Sequence, residues 1–304
     1  MKFSKFLIIA IAASASFLSA CTADDDDVLA KRELVFRVSM DDQETRATAG
    51  GSWQAGDLIA VRVGDEVKMY TIDSDVAHGI DADNTFYWED FNESSVMVTA
   101  WSFGSREVRS FDNAVTVETD QSTDENYGAS DFLYAKSTSV TKGSITQLVF
   151  CHQMGRLNIN IKLDEETEVE KVTIGNPDTE SKCFIAATFE EPTGEDNYGN
   201  LYVTDENQET DVITTYKEAT PAEGYDASFS ACIIPYQYED VDCIITLSDG
   251  SKFSFWFRIF DTSLSFEEGY VITANVTIKN KQLSVGIPVT QNAPVTVENW
   301  KTQN

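Results

Sequence analysis

Apolar and polar residues alternate with a period of two along almost the whole chain. In "ELVFRVSM" the residues Leu34, Phe36, Val38 and Met40 fall on one side and Arg37 and Ser39 on the other, the spacing of a strand with one face on a core. "DLIAVRVG" and "EVKMYTID" come next, joined at Gly64-Asp65, a hairpin signal. "NTFYWED", "SVMVTAWSFG", "NAVTVETD" and "DFLYAKSTSV" continue the series. The second half adds further runs, from "SITQLVFCHQMGRLNINIKLD" through "EKVTIGN", "SKCFIAATFE" and "YDASFSACIIPYQYE" to "GYVITANVTIK". In "GYVITANVTIK", Tyr270, Ile272, Ala274, Val276 and Ile278 alternate with Thr273, Asn275, Thr277 and Lys279. No stretch carries the period of a long amphipathic helix. Many short strands with turn signals between them predict an all-β chain of antiparallel sandwiches.

The first residues break this pattern. Lys2 and Lys5 precede an apolar run, Phe6 to Leu18, that is too short to span a bilayer and suits a signal-peptide core. It ends in "LSAC", which resembles a bacterial lipobox, so residues 1–20 are expected to be removed and Cys21 to carry acyl chains in the outer membrane. Several such chains anchor a protein without a spanning helix, since each buried methylene contributes about 0.8 kcal/mol. "TADDDD" follows. Four successive aspartates, Asp24 to Asp27, repel one another and cannot enter a core, which makes residues 21–32 a solvated tether. The run is also similar to the acidic export signal behind the lipid cysteine of Bacteroidetes surface lipoproteins. All six prolines stand at or after Pro177. That shift, with the polar "STSVTKGS", divides the remainder into domains at 33–143 and 144–304.

Charge narrows the partners. The chain has 22 basic and 51 acidic residues, a net charge of −29, a field that repels nucleic acid and anionic membrane. Beyond Cys21 there are four cysteines, Cys151, Cys183, Cys232 and Cys243. An oxidising compartment permits bridges, and four cysteines allow three pairings; buried free thiols are the alternative, because three of the four lie in apolar runs.

No compact catalytic motif is present: no HExxH, CxxC or GxSxG. His152 sits on the face of Leu148, Phe150 and Met154, which reads as a core histidine with a hydrogen-bond partner. His78 is remote from it in sequence. The acid pairs of "EDNYGN", "FEEG" and "DEETEVE" have the composition of glycosidase acids, but in so acidic a chain they read as solvated turns. "DSDVAHGIDADN" is oxygen-rich, as a calcium loop would be, yet lacks EF-hand spacing. No cofactor or resident metal is expected. Of five tryptophans, Trp53, Trp88, Trp101, Trp256 and Trp300, both Trp88 and Trp256 lie in strand-like runs and are expected in the core.

Five stretches, in order, carry a resemblance: "LSAC", "TRATAGGSWQAGDLIAVRV", "FYWEDFNESSVMVTAWSF", "LVFCHQMGRLNINIK", and "EGYVITANVTIKNKQLSV" with "VTVENW". Together they resemble the fimbrillin-like proteins, the type V pilin superfamily of the Bacteroidetes. The chain departs from that pattern at Gly104, where the family often has an aromatic–proline pair. The resemblance implies two transthyretin-like β-sandwich domains in tandem. It further implies a non-enzymatic surface lipoprotein that serves as a structural or adhesive pilus component, located at the cell outer membrane and in the fimbrium once processed. An arginine-specific protease would remove the first strand, and other pilin subunits would fill the vacated slot by donor-strand addition. Arg46 is the only basic residue between Arg37 and Arg62 and lies between the strand "ELVFRVSM" and a glycine pair, so cleavage is expected between Arg46 and Ala47. Arg32 and Arg37 are lesser candidates. "QLSVGIPVTQNAPVTVENW", with Leu283, Val285, Ile287 and Val289 in alternation, is the candidate donor; Pro288 and Pro294 restrict its pairing to one side. The adhesive partner would be a host or microbial surface ligand. The alternative function is a surface glycan-binding lipoprotein of a polysaccharide-uptake system, using exposed tryptophans.

Overall fold

The structure, a computed structural model, describes residues 32–40, 53–109, 113–164, 167–193, 198–204, 208–236, 238, 241–257, 270–279, 282–286 and 296–299. Strands dominate it. The first part holds β1 (Phe36–Met40), β2 (Leu58–Val63), β3 (Glu66–Asp73), β4 (Val76–Gly79), β5 (Ser95–Ser102), β6 (Ala114–Thr116), the short helix α1 (Asp124–Ala129), β7 (Leu133–Thr141) and β8 (Thr146–His152). The second part holds β9 (Gly155–Leu163), β10 (Val169–Ile174), β11 (Cys183–Phe184), β12 (Ala186–Glu190), β13 (Asn200–Tyr202), β14 (Thr210–Asp211), β15 (Ile213–Thr214), β16 (Tyr216–Lys217), β17 (Ala227–Ile233), β18 (Val241–Leu247), β19 (Lys252–Phe257), β20 (Tyr270–Lys279), β21 (Gln282–Gly286) and β22 (Thr296–Asn299).

Seven strands close on themselves in the order β1-β4-β3-β2-β5-β7-β8. The alternation read from the sequence sets which side chains point in. Leu34, Phe36, Val38, Ile59, Val61, Tyr70, Ile72, Leu148 and Phe150 are all buried in one interior cluster. The β2–β3 hairpin turns at Gly64-Asp65, with Val63 opposite Glu66 and Gly64 at φ +60°, a conformation that costs glycine little. One stretch departs from the strand pattern. In "NTFYWED" the residues Trp88–Asp90 form a single 3₁₀ turn, because Asp90 Oδ2 accepts the Tyr87 amide (3.1 Å) and takes the backbone out of the ladder.

Beyond His152 two further sheets face each other. The sheet β15-β10-β18-β19 turns Val172, Ile174, Cys243 and Ile245 inward. The sheet of β16, β17, β9 and β20, with β21 and β22 both on the outer side of β20, supplies Leu157, Ile159, Ile161, Ala274 and Val276 to the same core. That core runs on past the sandwich and takes in Trp101, Phe103, Phe132 and Tyr134 from the outer face of the closed sheet. Phe189 of β12 joins them, with ring centroids 5.0 Å from Phe132 and 4.7 Å from Tyr134.

The connection between β5 and β7 ties the two parts. It leaves the closed sheet, pairs β6 with β12, and places Gln121 beside β17. The fully buried Gln121 amide works like a piece of backbone: Nε2 donates to the Cys232 carbonyl (2.8 Å) and Oε1 accepts the Cys232 amide (2.9 Å). On the other side Arg62 of β2 holds Glu191 through two bonds of 2.8 and 2.6 Å, the bidentate geometry that gives arginine its grip on carboxylates.

A buried donor or acceptor that loses its partner costs about 1–3 kcal/mol, and Gln121 serves two. Gln121→Ala is therefore expected to lower the unfolding free energy by about 3 kcal/mol in urea titrations. A loss below about 0.5 kcal/mol, the size of an ordinary surface change, would show that this amide does not join the two parts.

Candidate functional site

The strand β1 is held by contacts that no hairpin supplies. It lies antiparallel to β4, with Phe36 opposite Ala77, and parallel to β8 over five residues, Phe36 opposite Thr146 through Met40 opposite Phe150. A parallel neighbour cannot be joined by a tight turn. Leu34, Phe36 and Val38 fill the interior, and the Phe36 and Tyr70 rings meet at 5.4 Å. Burial of three such side chains contributes on the order of 6 kcal/mol, comparable with the whole stability of a domain. Removal of β1 would leave an apolar slot and two open sheet edges, on β4 and β8, of the kind that recruit another strand.

The approach to β1 is also fixed. Leu34 donates its amide to the Phe86 carbonyl (2.8 Å), Trp88 donates to the Arg32 carbonyl (2.9 Å), and Gly79 donates to Glu33 Oε1 (2.8 Å). Arg32 pairs with Glu89. Arg37 is exposed on the outer face, but its backbone lies in the ladder between Val76 and Gln147. Cys21, Arg46 and Ala47 lie outside the described residues.

At the other end β20 runs parallel to β9, and its free side is shared. β21 pairs with Asn275–Lys279 and β22 with Tyr270–Thr273. The candidate donor therefore touches its own sheet at two places, Gln282–Gly286 and Thr296–Asn299. Ile287, Pro288, Val289, Pro294 and Trp300 lie outside the described residues.

Gly104, where the family resemblance breaks, has φ +61°, and an added Cβ would stand 2.9 Å from the Gly128 carbonyl oxygen. The glycine lets the turn after β5 lie against α1. Beside it opens a cleft of about 580 Å³, lined by Asp57, Asp124, Glu125, Tyr127, Tyr216 and Glu218 among others. Burial holds the Asp57 carboxyl above the usual range. The Tyr127 and Tyr216 rings stack at 4.9 Å, and a hydrogen bond with Asp124 pushes the Tyr216 phenol up to about 12.

The remaining sequence candidates fall into place individually. His152 is buried, and its Nδ1 lies 2.8 Å from Asp131 Oδ1; both side chains are 2% exposed, which withholds the pair from a substrate. His78 is exposed on β4, opposite Thr71. Cys151, Cys183, Cys232 and Cys243 are buried and free, and burial pushes the Cys183 thiol up to about 12. Asp81 accepts from the Asp83 and Asn84 amides and from Asn84 Nδ2, all at 2.9 Å, so the supposed calcium loop spends this carboxylate on its own turn. Among the described residues no three His, Cys, Asp or Glu side chains are placed to hold a metal. Glu195, Asp196, Glu267 and Glu268 of the acid pairs lie outside the described residues.

The tryptophans divide. Trp88 and Trp101 are buried, and Trp53 packs edge-on against Phe150 at 5.0 Å. Trp256 overturns the expectation of burial: it is 63% exposed. In "KFSFWF" the alternation turns Phe253 and Phe255 inward, so the indole between Phe255 and Phe257 faces outward. An aromatic run hides that period of two. Asp131, Gln121 and Tyr127 left no signal in the sequence, since polar residues in an acidic loop look alike until the fold buries them.

A family model described as fimbrillin-like matches residues 45–300. No curated protein matches. Among solved structures, a candidate cell adhesion protein from Bacteroides uniformis is 18% identical, with TM-score 0.59, over 88% of this chain and 99% of that one. Another, from Bacteroides ovatus, is 17% identical, with TM-score 0.63, over 90% of this chain and 99% of that one. At these identities the likeness speaks for the fold.

Two outcomes follow from this geometry. Phe36→Ala is expected to cost about 3–5 kcal/mol of stability, as phenylalanine truncations in cores do, and Arg37→Ala no more than about 0.5 kcal/mol; urea unfolding of the two variants measures the contrast. Iodoacetamide followed by peptide mass spectrometry should leave Cys151, Cys183, Cys232 and Cys243 unlabelled in the native protein and label all four in denaturant. Mass-shifted disulfide peptides from any of them would contradict the free-thiol state.

Proposed function

The chain belongs to the fimbrillin-like family, and from that premise we propose that it is a surface lipoprotein that builds or tips a pilus after losing its first strand. The family supports a pilus- or adhesin-type structural role. The finer reading rests on one observation: β1 sits between β4 and β8, and no hairpin ties it to either. A strand held in this way can be exchanged for one of equal pattern from another subunit, since the backbone hydrogen bonds and the alternate side-chain pockets are the same.

In this reading Cys21 carries the acyl chains that hold the precursor in the outer membrane. Cleavage between Arg46 and Ala47 releases anchor and strand together. Arg37 is a poorer substrate than Arg46, because a protease must draw the bond out of a ladder paired on both sides. The donor is the C-terminal segment, which would first have to leave β20. Nothing in the proposal requires catalysis, and the buried His152–Asp131 pair is structural.

Treatment of the purified precursor with an arginine-specific protease is expected to give a new N-terminus at Ala47 and, with time, ladders that survive detergent without heating. Arg46→Ala should abolish both. An intact chain at Arg46 would refute the processing site. A cut chain that stays monomeric would refute donor-strand assembly.

A further inference from the structure

We propose that the outer face of the sheet β15-β10-β18-β19 is a binding site for a neutral saccharide, with the Trp256 indole as its platform. Antiparallel partners point to the same side of a sheet, with Cβ atoms about 5 Å apart. The register therefore fixes the composition of this face. Trp256 stands beside Asp242; Ser254, Ile244, Thr173 and Thr214 form the next row. The inward partners, Ile213, Ile174, Cys243 and Phe255, are buried.

Asp242 is joined by a second polar group. Asn176 Nδ2 donates to Asp242 Oδ2 at 3.1 Å, and both side chains are half-buried. On the far side of Asp242 the neighbouring backbone is Gly175, whose amide donates to the Asp242 carbonyl. Gly175 is itself covered: a Cβ there would stand 3.1 Å from the Ser181 carbonyl oxygen and 3.3 Å from Val212 Cγ2, and Ser181 Oγ accepts the Asp242 amide at 2.7 Å, so Ser181 and Lys182 pack against this turn. The face therefore carries one aromatic ring, a carboxylate–amide pair next to it and short hydroxyls beyond, with Lys171, Thr246 and Lys252 in the row after Ile244.

That chemistry selects its ligand. The ring face is electron-rich and meets C–H groups that carry partial positive charge, as the axial hydrogens of a pyranose do. Sugar hydroxyls donate to Asp242 and exchange bonds with Asn176, Ser254 and Thr173, which offer both donors and acceptors. A protein partner is a weaker match, since protein interfaces centre on an apolar cluster and among the described residues this face has a single exposed apolar side chain, with Ile244 partly covered. The net charge of −29 and the Asp242 carboxylate next to the indole disfavour polyanions, so the ligand proposed is a neutral glycan. The site needs neither cleavage nor assembly, so its success or failure is independent of the processing at Arg46.

Native affinity gels containing mannan, galactomannan, mixed-linkage β-glucan or soluble starch test it on the purified protein. Retardation is expected in at least one gel, with affinity reduced at least tenfold by Trp256→Ala and several-fold by Asp242→Ala. Met97→Ser, which alters an exposed apolar residue on β5, should be retarded like the parent. Circular dichroism and melting temperature should be unchanged in Trp256→Ala, because its side chain is mostly in water. The proposal is overturned if no gel retards the parent, if Trp256→Ala is retarded equally, or if Trp256 serves only a dimer contact, seen as self-association in sedimentation that the substitution removes without any retardation in the gels.

Discussion

The closed sheet of the first part depends on a strand whose neighbours are both remote in sequence. β1 supplies backbone partners to β4 on one side and β8 on the other, and its apolar residues plug the interior between them. β2–β3, β3–β4 and β7–β8 are joined by short turns, while β2–β5 and β5–β7 are joined through longer connections. If β1 is absent, the sheet is an open ribbon with two bare edges and a wet slot, and the free energy lost is of the order of a domain's stability. Everything proposed about processing and assembly rests on that single vulnerability, which the fold concentrates in five residues.

The rest of the chain is tied together by contacts between its two parts. The connection from β5 to β7 crosses to the second part, adds β6 to its small sheet and buries Gln121 against Cys232, while Arg62 reaches Glu191. These ties draw on both parts of the chain, so one part cannot open by simple hinging without leaving buried polar groups unpaired. The protein combines a first strand held without a hairpin with a body cross-tied by buried polar groups.

Much of this was legible before the fold was known. The period of two placed Leu34, Phe36 and Val38 on the interior face, Gly64-Asp65 in a hairpin and His152 in a core with a partner, because burial of one face of a strand enforces alternation. What failed had a physical reason in each case. Trp256 looked like core because both its flanks are aromatic, yet in a strand the middle residue faces away from its neighbours. "FYWED" looked like a strand until Asp90 captured the amide of Tyr87. Gln121 and Asp131 gave no warning, since their partners lie 111 and 21 positions away and only the folded chain brings them near. The order of the strands, and the seat of β1 between β4 and β8, was likewise beyond pattern alone.

The parallel pairing of Phe36 with Thr146 has a consequence in time. A contact between such distant residues must wait for the long intervening segment to be made and ordered, and closure of large loops slows folding. β1 can meet β4 early but cannot complete its pairing until β8 exists, although it leaves the ribosome before any other strand of the sheet. Until then the sheet stays unclosed between β1 and β8. The first strand to be synthesised is the last of that sheet to complete its pairing.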